Sequence, residues 1–280
     1  MFTRDQYELL DFGEGRKLER FGRYLLDRPS PAAEGVAKAD PPLWRKADAR
    51  YEGSSHDRGA WHASTGFDMP WVVSAGHLKF ELKLTDAGHL GLFPEQAESW
   101  QWIESRLRLA SRPVKLLNLF GYTGGSTLAA ASREAEVAHV DAARGVVGWA
   151  RRNARLSGLE AAPIRWIVED ALTFVRRELK RGSGYDAIVL DPPSYGHGPH
   201  GELWKLDQHL PELLAGCAEL TAGRRQFILL TSHTSGYDSR RLREMFSAAV
   251  AGCQLEAGAM TIRSARGRNL HAGAMVRCCS

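Results

Sequence analysis

Residues Leu116–Ala131 read LLNLFGYTGGSTLAAA. An apolar run from Val114 to Phe120 meets a turn of Gly121, Tyr122, Thr123, Gly124 and Gly125, and a small-residue helical pattern begins at once. Strand, tight glycine turn and helix N-terminus is how α/β proteins hold nucleotide-like ligands. The turn does not follow the GxGxxG spacing of dinucleotide sites. Tyr122 and Thr123 interrupt the first gap and the glycines are paired late. That favours a nucleoside ligand without a pyrophosphate, S-adenosylmethionine being the obvious one.

Working outward, the rhythm is strand–helix–strand. Strands are expected at 114–120, 137–141, 164–168, 185–191, 226–231, 255–262 and 274–278. Helices are expected at 125–133, 143–157, 170–181, 203–221 and 238–251. Such alternation predicts a mainly parallel sheet covered on both faces. No helix separates the last two strands, so the final one can run antiparallel to its neighbour. Upstream, residues 7–31 suggest a hairpin or small sheet, and 32–67 reads as irregular. Trp71–Val73 and Leu78–Leu84 read as strands, and Pro94 with Glu95 opens a helix with Trp100, Ile103 and Leu107 on one face. The expected division is a β-rich region over 1–95, a substrate platform or lid, followed by the ligand-binding domain over 96–280.

Acidic residues mark the strand tips. Asp141 ends the second strand about 20 residues beyond the glycine turn, where a carboxylate can accept both ribose hydroxyls; capping the next helix is the plainer role. Asp170, at the end of the third strand, suits an adenine amino group or a helix cap. The fourth strand leaves through Asp191, Pro192 and Pro193. Two prolines fix the backbone after Asp191, so that its acceptors face the crevice at the carboxyl ends of the strands. Such a group can orient an amine or base edge toward an electrophilic methyl group, with alignment as the main aid. Tyr195, in a loop that reads as mobile, is placed to stack on a base. His197 and His200 have no third ligand nearby, and no metal site is expected. His233, after the fifth strand, suits a base or a base-edge contact, or is a strand-end histidine without a catalytic part.

The 280-residue chain carries 37 Lys/Arg and 33 Asp/Glu, a formal charge of +4. The charge is uneven: residues 1–100 hold 13 basic and 16 acidic side chains, residues 101–280 hold 24 and 17. The basic C-terminal part, with Arg144, Arg151 and Arg155 on one helical face, Arg240, Arg241 and Arg243, and Arg263, Arg266 and Arg268, suits a polyanion. Four cysteines without metal-ligand spacing point to reduced thiols and the cytoplasm. No apolar run is long enough to span a membrane.

NLFGYTGG, the strand-two Asp141 and LDPPSYG together resemble the class I S-adenosylmethionine-dependent methyltransferases. More narrowly, the chain resembles the bacterial family of ribosomal RNA large-subunit enzymes that methylate cytosine C5 and guanine N7. LKFELKLTDAGHLGLFPEQAESWQWI resembles that family's hairpin before the catalytic domain, so the likeness spans roughly residues 70–280. It implies a Rossmann-like seven-stranded α/β fold with helices on both faces. It also implies S-adenosylmethionine as cofactor and RNA, ribosomal in particular, as partner. The implied cofactor set is Phe93, Pro94, Gln96, Asn118, Phe120, Gly121, Tyr122, Thr123, Gly124, Gly125, Asp141, Ala142, Asn153, Asp170, Ala171 and Asp191, with Leu92, Phe93, Pro94 and Gln96 closing over the ligand. The catalytic set is Asp191, Pro192, Pro193, Tyr195 and His233. Asn153 matches a family asparagine, though a helix-surface asparagine reads the same.

Two departures bear on the substrate. Residues 1–70 do not read as the RNA-binding module that the ribosomal enzymes usually carry. C5 methylation needs a nucleophile at C6, and the stretch FILLTSHTSGYD has Ser232, His233 and Thr234 where the C5 enzymes place a cysteine. A base nitrogen is therefore the expected acceptor. A small molecule or protein side chain is the alternative, and a non-catalytic RNA-binding protein is the alternative of another class.

Overall fold

The computed structural model describes residues 1–53 and 59–279. The chain forms two compact units. One comprises Met1–Glu98 with Thr261–Ala272; the other comprises Ser99–Met260 with the residues from Gly273 onward.

The first unit holds a five-stranded sheet in the order β1 (Tyr7–Gly13), β2 (Arg16–Phe21), β3 (Tyr24–Pro29), β4 (Ala49–Glu52), β5 (Ala60–Ala63), and a separate hairpin of β6 (Trp71–Ala75) and β7 (Leu78–Leu82). The glycine turns at 13–15 and 22 make β1–β3 an antiparallel meander. The stretch 32–67, expected to be irregular, instead contains α1 (Pro41–Trp44), β4 and β5; its residues 54–58 lie outside the described ones. The prolines at the first turn start α1. β4 does alternate buried and exposed residues, but over only four positions, too few to stand out from its polar surroundings.

Charge is unusually deep in this unit. Asp11 is fully buried and accepts from the amides of Phe12, Ala39 and Asp40, the Trp44 indole and the Arg268 guanidinium. Arg266 pairs with Asp40 at 2.6 Å. Two members of the third arginine cluster are thus spent on internal ion pairs.

The second unit is a seven-stranded sheet in the order β10-β9-β8-β11-β14-β16-β15, with β8 (Lys115–Leu119), β9 (Glu136–Asp141), β10 (Ile164–Val168), β11 (Ala187–Leu190), β14 (Phe227–Ser232), β15 (Gln254–Arg263) and β16 (Asn269–Cys279). The first five of these strands run parallel, and β16 is antiparallel to β14. Helices α2 (Ala97–Arg108), α3 (Gly125–Ala131), α4 (Arg144–Leu156), α5 (Ala171–Lys180), α6 (Leu206–Leu220) and α7 (Ser239–Ala249) complete the layers. The expected α/β, Rossmann-like fold with a β-rich N-terminal region is what forms.

Alternation along the strands builds two cores. Leu117, Leu119, Ile188, Leu190, Ile228 and Leu230 pack with α5, α6 and α7. Leu116, Val189, Phe227 and Leu229 face Ile103 and Leu107 of α2 and the alanines of α3. Strand order reverses beside β8, so the crevice opens at the carboxyl ends of β8, β9 and β11.

One expected helix starts late. Residues 203–205 are not the first turn of α6; they form β13 (Leu203–Lys205), paired with β12 (Tyr195–His197). The loop expected to be mobile is therefore a hairpin. Trp204, which reads as part of a helical apolar face, turns inward from a strand instead.

Candidate functional site

Register places the candidate residues in a row. Val168 pairs with Asp141, Leu119 with Val140, Leu119 with Leu190, and Leu190 with Leu230. Glu169–Asp170, Asp141–Ala142, Phe120, Asp191 and Thr231 therefore stand side by side at or just beyond the strand ends, with neighbouring strands about 4.8 Å apart.

The glycine turn is tight and strained. Phe120, Tyr122 and Gly124 have φ of 55°, 47° and 95°. Left-handed backbone at a residue other than glycine costs on the order of 1–2 kcal/mol, and it persists where surrounding contacts hold it. Here the Asp141 carboxylate accepts the Tyr122 amide and the Ala143 amide, both at 2.9 Å. The buried Asn153 amide donates to the Thr123 carbonyl at 2.9 Å. Asn153 is therefore not a helix-surface residue but a brace of the turn. Burial raises the Asp141 carboxyl above its ordinary range, against the two amide bonds that lower it.

Beneath the turn lies a buried polar chain that no sequence pattern announces. Asn118 donates to the Thr127 hydroxyl at 2.8 Å, and that hydroxyl is 2.8 Å from Nδ1 of His139. The Thr127 proton then goes to Nδ1, which leaves the ring hydrogen on Nε2. Burial pushes the His139 imidazole down to about 3, so it is neutral at working pH. A Cβ on Gly121 would stand 2.5 Å from this ring, so only glycine fits at Gly121. The Asn118 amide thus faces Thr127, one layer below the turn.

Asp170 caps α5 by accepting the Thr173 amide at 2.8 Å, and Ala171 opens that helix. The capping role is met with one carboxylate oxygen. Ala142 follows Asp141 and is half-buried, and Gly125 opens α3. Phe93, Pro94 and Gln96 belong to the first unit, where Pro94–Gln96 is a single 3-10 turn.

The Asp191 carboxylate is fixed from the neighbouring strand. Thr231 donates to Oδ1 at 2.7 Å, and His233 Nε2 stands 3.4 Å from Oδ2. The Pro193 carbonyl is not open: the Trp204 indole donates to it at 2.7 Å, and the same ring packs 4.8 Å from Phe120. The expected fan of free carbonyls after Asp191 thus has Pro193 already bonded. Tyr195 is exposed beside it.

The thiols lie elsewhere. Cys217 is fully buried in the α6 core, where burial pushes it up to about 12. Cys278 and Cys279 pair opposite Ile228 and Phe227, at the amino end of β14, and Cys253 packs in the same core as Cys278. Five strand residues, on the order of 16 Å, separate that end from His233.

The row fits a nucleoside ligand. A cradle that tolerates only glycine at 121, with a carboxylate at the tip of β9 and a second just beyond β10, offers the acceptors that ribose hydroxyls and an adenine amino group need. The fold is that of a Rossmann-like methyltransferase. The sequence profile of the S-adenosylmethionine-dependent methyltransferases matches residues 44–230, and the chain belongs to that family. The match reaches further upstream than the hairpin at 70 and stops before His233. The ribosomal RNA large subunit methyltransferase I of Aeromonas salmonicida is 29% identical over 208 residues, 74% of this chain and 50% of that protein. The K/L enzyme of Pseudoalteromonas atlantica is 36% identical over 120 residues, 42% of this chain and 16% of that protein. The chain thus spans half or less of the curated relatives it matches. A crystal structure of an S-adenosylmethionine-dependent methyltransferase from Agrobacterium tumefaciens is 38% identical. It superposes with a TM-score of 0.93 over 98% of this chain and 90% of that one.

Proposed function

We propose that the chain methylates a nitrogen of an RNA base, ribosomal RNA first, in the cytoplasm. The glycine cradle would hold S-adenosylmethionine, whose sulfonium would activate the methyl group for transfer. Asp141 accepts the ribose hydroxyls, and Asp170 offers its remaining oxygen to the adenine amino group. Gly121–Gly125 lie against the methionine and ribose end.

The observation that carries the acceptor side is the Asp191 carboxylate, held by Thr231 and His233 one strand from the glycine turn. Asp191 and the Pro192 carbonyl accept the hydrogens of the incoming amine or base edge, which aims its lone pair. Alignment of this kind is the largest help to an in-line displacement. His233 stands where the proton released from the nitrogen can be received. The burial of Cys217 in the α6 core and the place of Cys278 and Cys279 at the amino end of β14 support nitrogen over cytosine C5, since C5 attack requires a covalent adduct. RNA as acceptor is supported by the exposed Arg144, Arg151 and Arg155 on α4 and by the names of the relatives.

The test is transfer of a radiolabelled methyl group from S-adenosylmethionine to unmodified large-subunit ribosomal RNA, with a protein extract and a small-molecule extract alongside. The label should enter the RNA, and Asp191→Ala should abolish transfer while still binding S-adenosylhomocysteine. Label in either extract and not in RNA overturns the substrate reading.

A further inference from the structure

We propose that Trp204 is a positioning residue that ties the glycine turn to the exit of β11, and so sets the gap across which the methyl group moves. The role rests on the reading of Asp191 as the acceptor side.

Phe120 heads the glycine turn, and Asp191–Pro193 leaves the neighbouring strand. The ladder between the two strands stops one residue earlier, at the pair Leu119 and Leu190. Beyond it a single side chain touches both segments. The Trp204 indole donates to the Pro193 carbonyl at 2.7 Å, and the same ring packs against Phe120 with centroids 4.8 Å apart. Trp204 is 3% exposed, so its part is to hold the site rather than to touch a substrate.

Each contact lands where the backbone needs holding. Phe120 has φ of 55°, a left-handed conformation that persists when surrounding contacts fix it. At the other end the proline rings already fix φ at Pro192 and Pro193. A bond to the Pro193 carbonyl removes much of the freedom that remains. The indole is itself held in place. Trp204 pairs with Gly196 across the β12–β13 ladder, and the Leu206 amide donates to the Ser194 carbonyl at 3.0 Å. The His209 ring stands 5.6 Å from the indole, with its Nδ1 accepting the Lys205 amide at 2.9 Å. Tryptophan meets both demands, offering a broad apolar face and an N–H donor at its edge. In-line transfer is sensitive to alignment: a displacement of about 1 Å can cost on the order of 100-fold in rate. Loosening the tie should therefore appear in kcat before it appears in cofactor affinity.

The experiment compares wild type with Trp204→Phe, which keeps a ring face and loses the donor, and Trp204→Leu, which loses both. Methylation of in vitro-transcribed large-subunit ribosomal RNA gives kcat, and calorimetric titration gives S-adenosylhomocysteine affinity. Nuclear magnetic resonance of isotope-labelled protein gives a readout without turnover. The Trp204 indole signal is the one missing from Trp204→Phe, and S-adenosylhomocysteine should shift it in wild type. Trp204→Phe should lower kcat about 10-fold with affinity kept within about twofold. Trp204→Leu should lower kcat further and weaken affinity severalfold. Wild-type kcat in Trp204→Phe, an equal fall of kcat and affinity there, or an indole signal unmoved at saturation would each overturn the role. If wild type shifts the indole signal but methylates no RNA, the RNA reading falls and the tie stands. A full rate in Asp191→Ala removes the acceptor reading and the positioning role with it.

Discussion

The Thr231 hydroxyl donates a 2.7 Å hydrogen bond to Oδ1 of Asp191, because register sets the two residues side by side at the ends of neighbouring parallel strands. A hydrogen bond to a charged group is worth about 1.5–3 kcal/mol. Thr231→Val should therefore lower kcat about 10- to 100-fold while leaving S-adenosylhomocysteine affinity within about twofold, and Thr231→Ser should restore most of the rate. Steady-state kinetics with calorimetric titration separate these effects. Equal loss in the Ser and Val variants would show that the hydroxyl plays no part.

Asp141 links acidity to cofactor binding. Its carboxyl is raised by burial, so the protonated form is favoured in the fold at a pH where a free aspartate is still ionised. Ribose hydroxyls donate to the ionised form. Affinity for S-adenosylhomocysteine should fall as pH drops through a midpoint above 3.8. The stability contribution of the ligand-free protein has the opposite sign, being lost as pH rises through that same midpoint. Asp141→Asn should bind about 10- to 100-fold more weakly and lose the acid limb. A wild-type-like affinity profile in Asp141→Asn would remove Asp141 from the site.

His139 should make the protein acid-sensitive. Its imidazole titrates near 6.5 in the unfolded chain and about 3 in the fold. Between those values the unfolded state holds the extra proton, so stability falls as pH is lowered from 6.5. The loss reaches about 2 kcal/mol at pH 5. Urea midpoints at pH 7 and pH 5 measure it. His139→Gln should be less stable at pH 7 but should show a smaller drop between the two. An equal drop in both proteins would place the acid sensitivity elsewhere.

Much of this was legible in the sequence because parallel strands buried on both faces are short apolar runs, and Gly, Asp and Pro punctuate their ends. The five parallel strands, the Asp141 and Asp191 tips and the N-cap at Asp170 follow from that pattern, and the last two strands from the lack of a helix between them. What depends on three-dimensional register did not show. Thr231 looks like any polar residue at a strand end until β14 is laid beside β11. Asn153 looks like a surface residue until α4 is folded back over the turn. Trp204 was hidden because two apolar residues before a helix extend its apparent face. Gly273 gave no sign at all, yet a Cβ there would stand 3.2 Å from Nδ1 of His233. Only β4 and β5 of the first unit escaped, because four residues hold too little alternation to read, and its buried Asp11–Arg268 pair joins positions 257 residues apart.

In the proposed reaction Asp191 presents a base nitrogen to a methyl donor in the glycine turn. The most direct measurement is nucleoside mass spectrometry of ribosomal RNA treated with the protein and S-adenosylmethionine. One added methyl group per target is expected on a base nitrogen, absent with Asp191→Ala. 5-Methylcytosine, or methylation undiminished in Asp191→Ala, would contradict it.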